Sequence, residues 1–240
     1  MANQGRRYAA ARAQVDPAQK YPPLAGVNLV KSLATTKFDE SVDVAVKLGV
    51  NPKHADQMVR GACSLPHGTG KKVRVLVFAV GEAARQAQDA GADFVGGDEL
   101  VQKILTENWT DFDKAVATRD MMGKVGRLGR VLGPRGLMPN PKIGTVVGPE
   151  EVATTVRELK GGKVDFRVEK AGIVHVSIGR ASMEAAQLSD NFNALIGTLV
   201  RLKPSTAKGT YFKSIAISST MGPGVRIDTV EAQRVAEEQQ

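Results

Sequence analysis

Two kinds of strand pattern occur in this chain, and one sheet does not satisfy both. Over residues 42–48, Val42, Val44, Val46 and Leu48 alternate with Asp43, Ala45 and Lys47, the two-residue period of a strand with one dry and one wet face. Over residues 73–80 the run VRVLVFAV is apolar at nearly every position, as in a strand covered on both sides. The alternating kind recurs at both ends of the chain. It spans 59–65 (Val59, Gly61, Cys63 and Leu65 on one side), 163–169 (Val164, Phe166, Val168), 173–178 (Val174, Val176, Ile178) and 213–219 (Ile215, Ile217). Lys170-Ala171-Gly172 reads as a hairpin turn between two of these runs.

The middle of the chain instead alternates strand with helix. After 73–80 come a helix over 82–90 closed by Gly91, a strand over 93–95, a helix over 98–105, a strand over 114–118, a helical run from Asp120, and a helix over 149–159 with Pro149 at its start. That order predicts a parallel α/β domain. The fold class expected is therefore α/β and α+β in two domains. An outer antiparallel-sheet α+β domain (1–66 and 161–240), with helices over 24–33 and 183–202, is interrupted by an inserted three-layer parallel α/β, Rossmann-like domain (67–160). Pro66 and Gly68 at one crossing, and Gly161 and Gly162 at the other, are the expected hinge residues.

Thirty-three Lys and Arg against 25 Asp and Glu give a net charge of +8, which suits a polyanionic partner. The outer segments together carry six of those excess cations and the middle two. No window approaches about 18 uninterrupted apolar residues, so no membrane span is expected. One cysteine, Cys63, and three scattered histidines, His54, His67 and His175, provide neither a disulfide nor a metal site; no cofactor, no metal and a cytoplasmic location are the expectations. Gly68-Thr69-Gly70-Lys71-Lys72 fails as a phosphate loop, because Leu65 stands where the first glycine belongs, Lys72 where the hydroxyl belongs, and the stretch precedes its strand.

Residues 122–148 contain glycine at high density and the cations Lys124, Arg127, Arg130, Arg135 and Lys142, with no acidic residue. Backbone amides freed by glycine, beside cations, suit phosphate oxygens; a helix packed on a sheet through Val125, Leu128, Val131 and Leu132 explains the same stretch without a ligand. Gly126-Arg127-Leu128-Gly129 also fits the short clamp of KH-type RNA binders. An enzyme of nucleotide metabolism finds no Gly-x-Gly-x-x-Gly after 73–80 and no His, Cys or paired carboxylates converging on the loop.

Taken whole, Gly129 to Gly144 together with Gly5-Arg6-Arg7-Tyr8, Lys37-Phe38-Asp39-Glu40-Ser41-Val42, Leu65-Pro66-His67-Gly68, Phe166-Arg167, Lys208-Gly209-Thr210 and Thr220-Met221-Gly222-Pro223 resembles the family of the bacterial large-subunit ribosomal protein L-one, the protein of the mobile side stalk. The resemblance runs nearly end to end. It implies a two-domain structural protein, not an enzyme, that binds large-subunit ribosomal RNA near the tRNA exit site, assists release of exit-site tRNA, and represses translation of its own messenger RNA. It also implies a monomer off the ribosome. The RNA-binding positions it carries over are Lys37, Phe38 and Glu40 before the first strand and Thr220, Met221 and Gly222 after the last, with Lys170, His175, Ser214 and Ser219 as weaker matches. The chemistry is apt: Thr220 can bond a 2′-hydroxyl, Gly222 permits close approach, Phe38 and Met221 can pack on ribose or base, and Glu40 can accept from a 2′-hydroxyl or a guanine amine. Gly224 stands where the family often has serine, and the polar, acidic tail over 231–240 is expected to be a frayed helix or disordered, with no function assigned to it.

Overall fold

The computed structural model describes residues 5–238, and the chain forms two compact units. One comprises the residues up to Lys71 and those from Val164 onward, the other Lys72–Lys163. The crossings thus lie a few residues beyond 66/67 and 160/161. At the first crossing the reason is local: the fully buried Asn191 side chain accepts from the His67 N–H at 3.0 Å and donates to the Gly68 carbonyl at 2.8 Å, which keeps this stretch with the first unit.

In chain order the first unit begins with α1 (Arg6–Ala13), α2 (Pro23–Leu33), β1 (Ser41–Leu48) and β2 (Arg60–Ser64). The second unit follows with β3 (Val75–Phe78), α3 (Glu82–Asp89), β4 (Phe94–Gly96), α4 (Asp98–Glu107), β5 (Lys114–Thr118), α5 (Met122–Val125), α6 (Gly129–Leu132), β6 (Val146–Val147) and α7 (Val152–Lys160). The first unit then resumes with β7 (Lys163–Arg167, whose first residue still belongs to the second unit), β8 (Ile173–Arg180), α8 (Ala185–Arg201), β9 (Phe212–Ser219), β10 (Val225–Ile227) and α9 (Thr229–Glu238).

In the first unit β10, β9, β1 and β8 form an antiparallel sheet in that order. Val42, Val44, Val46 and Leu48 of β1 are buried with Ile215 and Ile217 of β9 and Val174, Val176 and Ile178 of β8. Against this dry face pack Val27, Val30 and Leu33 of α2 and Leu188, Phe192, Leu195, Ile196 and Leu199 of α8, in one continuous core. The turn at 170–172 exists, since the Glu169 N–H donates to the Ile173 carbonyl and the Gly172 N–H to the Glu169 carbonyl, both at 2.9 Å. Its strands nevertheless part: β7 pairs with β2 in a separate two-stranded sheet, and β8 pairs with β1. The expected hairpin is therefore a turn between two sheets. The tail is ordered through Glu238 as α9, because Ala232 and Ala236 are buried in the same core.

The second unit is the parallel sheet β4-β3-β5-β6. Side chains of β3 point alternately into two cores: Leu76 and Phe78 meet Val101, Ile104, Leu128 and Leu132 on one face, and Val75 and Val77 meet Ala87, Val152 and Val156 on the other. The unbroken apolar run thus serves two helix layers. Among the described residues no helix is long and apolar enough to cross a membrane, and no three His, Cys, Asp or Glu side chains gather as a metal site.

Candidate nucleic-acid interface

Because β8 and β9 both run antiparallel to β1, both end where β1 begins. The segments 36–41, 180–182 and 219–222 therefore converge at one end of the sheet, although they are far apart in sequence. Hydrogen bonds tie them together. Ser41 N–H donates to Thr220 Oγ1 and Thr220 N–H to the Ser41 carbonyl, both at 3.0 Å. Arg180 reaches the Asp39 carbonyl at 3.1 Å and Ser41 Oγ at 3.2 Å, while Asp39 accepts from the Ser182 N–H at 3.0 Å and its hydroxyl at 2.8 Å.

On this lattice two large apolar side chains stand in solvent, Phe38 at 55% and Met221 at 51% exposure. The backbone on either side of them is hydrogen-bonded: the Met221 N–H donates to Glu40 Oε2 and the Thr36 hydroxyl to the Phe38 carbonyl, both at 2.9 Å. Lys37 and Thr220 are exposed beside them in the chain. Gly222 is needed for space rather than for conformation: a Cβ there would collide with Ser219 Oγ.

Two expected contact residues lie elsewhere. Glu40 is only 2% exposed; its Oε1 accepts from the Thr36 N–H at 3.3 Å and its Oε2 from the Met221 N–H at 2.9 Å. Burial alone would raise its pKa, yet the N–H bonds from Met221 and Thr36 hold it below the ordinary carboxylate value. Glu40, which the sequence reading has accepting from RNA, is thus buried with each oxygen already bonded to a backbone N–H. Ser219 is 3% exposed because it continues the dry face of β9, and so it too is withdrawn from the surface. The 220–222 segment also does not follow the last strand; it joins β9 to β10.

The wet face of the sheet is the second part of the surface. Register places Ser177, Asp43 and Ser218 in one row, His175, Ala45, Ala216 and Arg226 in the next, and Lys47 beside Ser214 in the third. These side chains are exposed or half-buried, so the face is a floor of small residues rimmed by Lys47, His175 and Arg226. Ser214, His175 and the exposed Lys170 thus sit toward the end of β1 opposite Phe38, with His175 3.7 Å from Glu169. Asp43, Lys47 and Arg226 were not singled out in the sequence. The first two carried a visible signal, the polar alternation of β1; Arg226 carried none, because β10 has three residues.

In the second unit the cations Lys124, Arg127, Arg130, Arg135 and Lys142 are all exposed. Lys124 pairs with Asp98 at 2.7 Å and Arg135 bonds Thr110. Met121, Val125, Leu128 and Leu132 are buried, and on this helical stretch Gly123, Gly126 and Gly129 have nothing within 4 Å of where a Cβ would stand. The run is thus both a packed helix and a bare, basic strip, so neither explanation offered by the sequence excludes the other. Of the four expected hinge residues, Gly68 and Gly162 take left-handed φ of +65° and +104°, and Gly161 caps α7.

Residues 30–223 match the ribosomal protein L1p/L10e family, a span that takes in most of both units and closes on the 36–41 and 219–222 segments at its two ends. The chain belongs to that family. It is 55% identical over 235 residues to the large ribosomal subunit protein uL1 of Chloroflexus aggregans, covering 98% of this chain and 99% of the relative. It is 56% identical, with the same coverage, to the large ribosomal subunit protein uL1 of Syntrophobacter fumaroxidans. As an L1p/L10e member the chain is a structural ribosomal protein and not an enzyme, and the mixed two-unit architecture is that of the family.

Proposed function

We propose that this L1-family chain is a cytoplasmic large-subunit protein that grips a folded segment of large-subunit ribosomal RNA at the mobile side stalk, near the tRNA exit site, through the first unit. The observation that carries this reading is the pair Phe38 and Met221, each about half exposed and flanking one bonded lattice at the end of an open sheet face. Irregular RNA is recognised through shape, 2′-hydroxyls and unstacked bases, and a flat apolar pair beside the Thr220 hydroxyl, Lys37 and Gly222 provides for each. Lys47, His175, Lys170, Ser214 and Arg226 extend the footprint along the sheet, a distance of roughly 20 Å for the seven-residue step from Ser41 to Leu48 at strand rise.

The basic strip of Lys124, Arg127, Arg130, Arg135 and Lys142 serves the exit-site tRNA, whose release this protein assists, with Pro66, Gly68, Gly161 and Gly162 at the crossings that let the second unit swing. The surface that holds the stalk also binds a look-alike site on the protein's own messenger RNA and represses its translation. Off the ribosome the protein is a monomer. The deciding experiment is filter binding of the purified protein, at fixed salt, to the stalk segment and to a scrambled RNA of equal length. A preference of a hundredfold or more, about 3 kcal/mol, is expected; equal binding would discard specific recognition.

A further inference from the structure

Glu40 places a negative charge within one residue of Ser41 and two of Phe38, on the surface proposed above to receive RNA. Among the described residues no Lys, Arg or His forms an ion pair with it, so its charge is met by N–H groups. Those N–H groups belong to two segments 185 residues apart, at Thr36 and Met221. Each sits two residues or fewer from an exposed apolar side chain: Thr36 before Phe38, and Met221 itself. Thr36 also turns its hydroxyl onto the Phe38 carbonyl at 2.9 Å, which fixes that loop further.

We infer that Glu40 is a positioning residue: its buried carboxylate clamps the Thr36 and Met221 amides and so holds Phe38 and Met221 outward before any RNA arrives, while Glu40 itself touches no RNA. This rests on the RNA-binding reading of the same surface. The chemistry explains why the residue is an acid. Two N–H donors on separate segments require two acceptor oxygens and no donor, which a carboxylate provides and a glutamine does not, because one of its two heads is an NH₂ that would face an N–H. The carboxylate keeps its charge, but the N–H dipoles pointing at it partly offset its repulsion of a polyanion. The gain is preorganisation: the apolar pair and the Thr220 hydroxyl need no ordering when RNA binds.

The test is a mutant cycle in the full-length protein, read by salt-controlled filter binding to the stalk segment and by amide hydrogen exchange without RNA. The variants are E40Q, the double variant F38A/M221A, and all three changes together. E40Q is expected to weaken stalk binding tenfold or more and to lose exchange protection at Thr36 and Met221. The triple variant is expected to bind like the double one, because a residue acting only through Phe38 and Met221 has nothing left to position. A further tenfold loss in the triple variant would overturn the inference in favour of direct contact. So would wild-type affinity for folded E40Q, or unchanged protection of the two amides. Should E40Q fail to fold, E40D replaces it: the charge stays, the shorter reach serves one amide, and an intermediate loss in both readouts is expected. Absence of stalk preference in the wild type defeats the RNA reading on its own, and the exchange arm then still decides whether Glu40 clamps the two segments.

Discussion

Met221 lies where a small chemical change reaches the surface without disturbing the core: its side chain is half exposed, whereas its N–H is held by Glu40. Replacing it with Asp is expected to lower specific RNA affinity by roughly 1–3 kcal/mol with little change in melting temperature, checked by binding and thermal denaturation in parallel. Tyr211 is the opposite case. Its ring is buried and its hydroxyl finds no hydrogen-bond partner among the described residues, and burial pushes its pKa from 10.0 up to about 12. The folded state therefore holds the phenol proton more tightly than the unfolded chain, so this contribution to stability is complete below about pH 10 and is lost as pH rises towards 12. Tyr211→Phe removes an unpaired buried polar group and is expected to stabilise by about 1 kcal/mol and to flatten that alkaline decline, as denaturant titrations at neutral and alkaline pH will report. Residue types at the proposed RNA surface were legible in the sequence, but their exposure was not. Glu40 reads as a wet carboxylate beside Phe38 until Met221, 181 positions away, is seen to bond it.

At the scale of elements, local periodicity was sufficient where the apolar pattern was strong. The alternation of β1, the apolar run of β3 and the spacing of α8 are properties of neighbouring residues, and they carry over directly into strands and helices. Partner choice is not local. The turn at 170–172 signals a reversal of the chain but not that β7 joins β2 while β8 joins β1. Elements of two or three residues, β6 and β10, are too short to display any period, and α9 is hidden because its buried residues are alanines in a polar stretch. The glycine strip offers an element-scale prediction. Gly126 and Gly129 have right-handed helical backbone, and a methyl group at either meets open space. Gly126→Ala and Gly129→Ala are each expected to stabilise the second unit by about 0.5–1 kcal/mol in denaturant titrations. If the bare backbone is the point of contact for tRNA, the same changes weaken tRNA binding while they strengthen the fold.

The whole molecule consists of two units with separate cores, one continuous in sequence and one not. Unfolding is therefore expected in two transitions, with the near-ultraviolet signal of Trp109, which packs on Phe94 and Phe112 in the second unit, departing from the far-ultraviolet signal of the whole chain. Coincident curves from the two probes would mean that the units unfold as one. Binding is also expected to weaken steeply with salt, in line with a net charge of +8 concentrated in the first unit.

The lattice at the end of β1 joins Ser41 to Thr220 and Glu40 to Met221, so the apolar pair is assembled from the first fifth and the last tenth of the chain. During synthesis Phe38 is joined to the chain 183 residues before Met221. At ordinary elongation rates of about 5–20 residues per second the interval is roughly 10–40 s, and through all of it the nascent polypeptide has half of a recognition surface. A chain that stops short of Met221 therefore has only one half of the surface proposed to hold RNA.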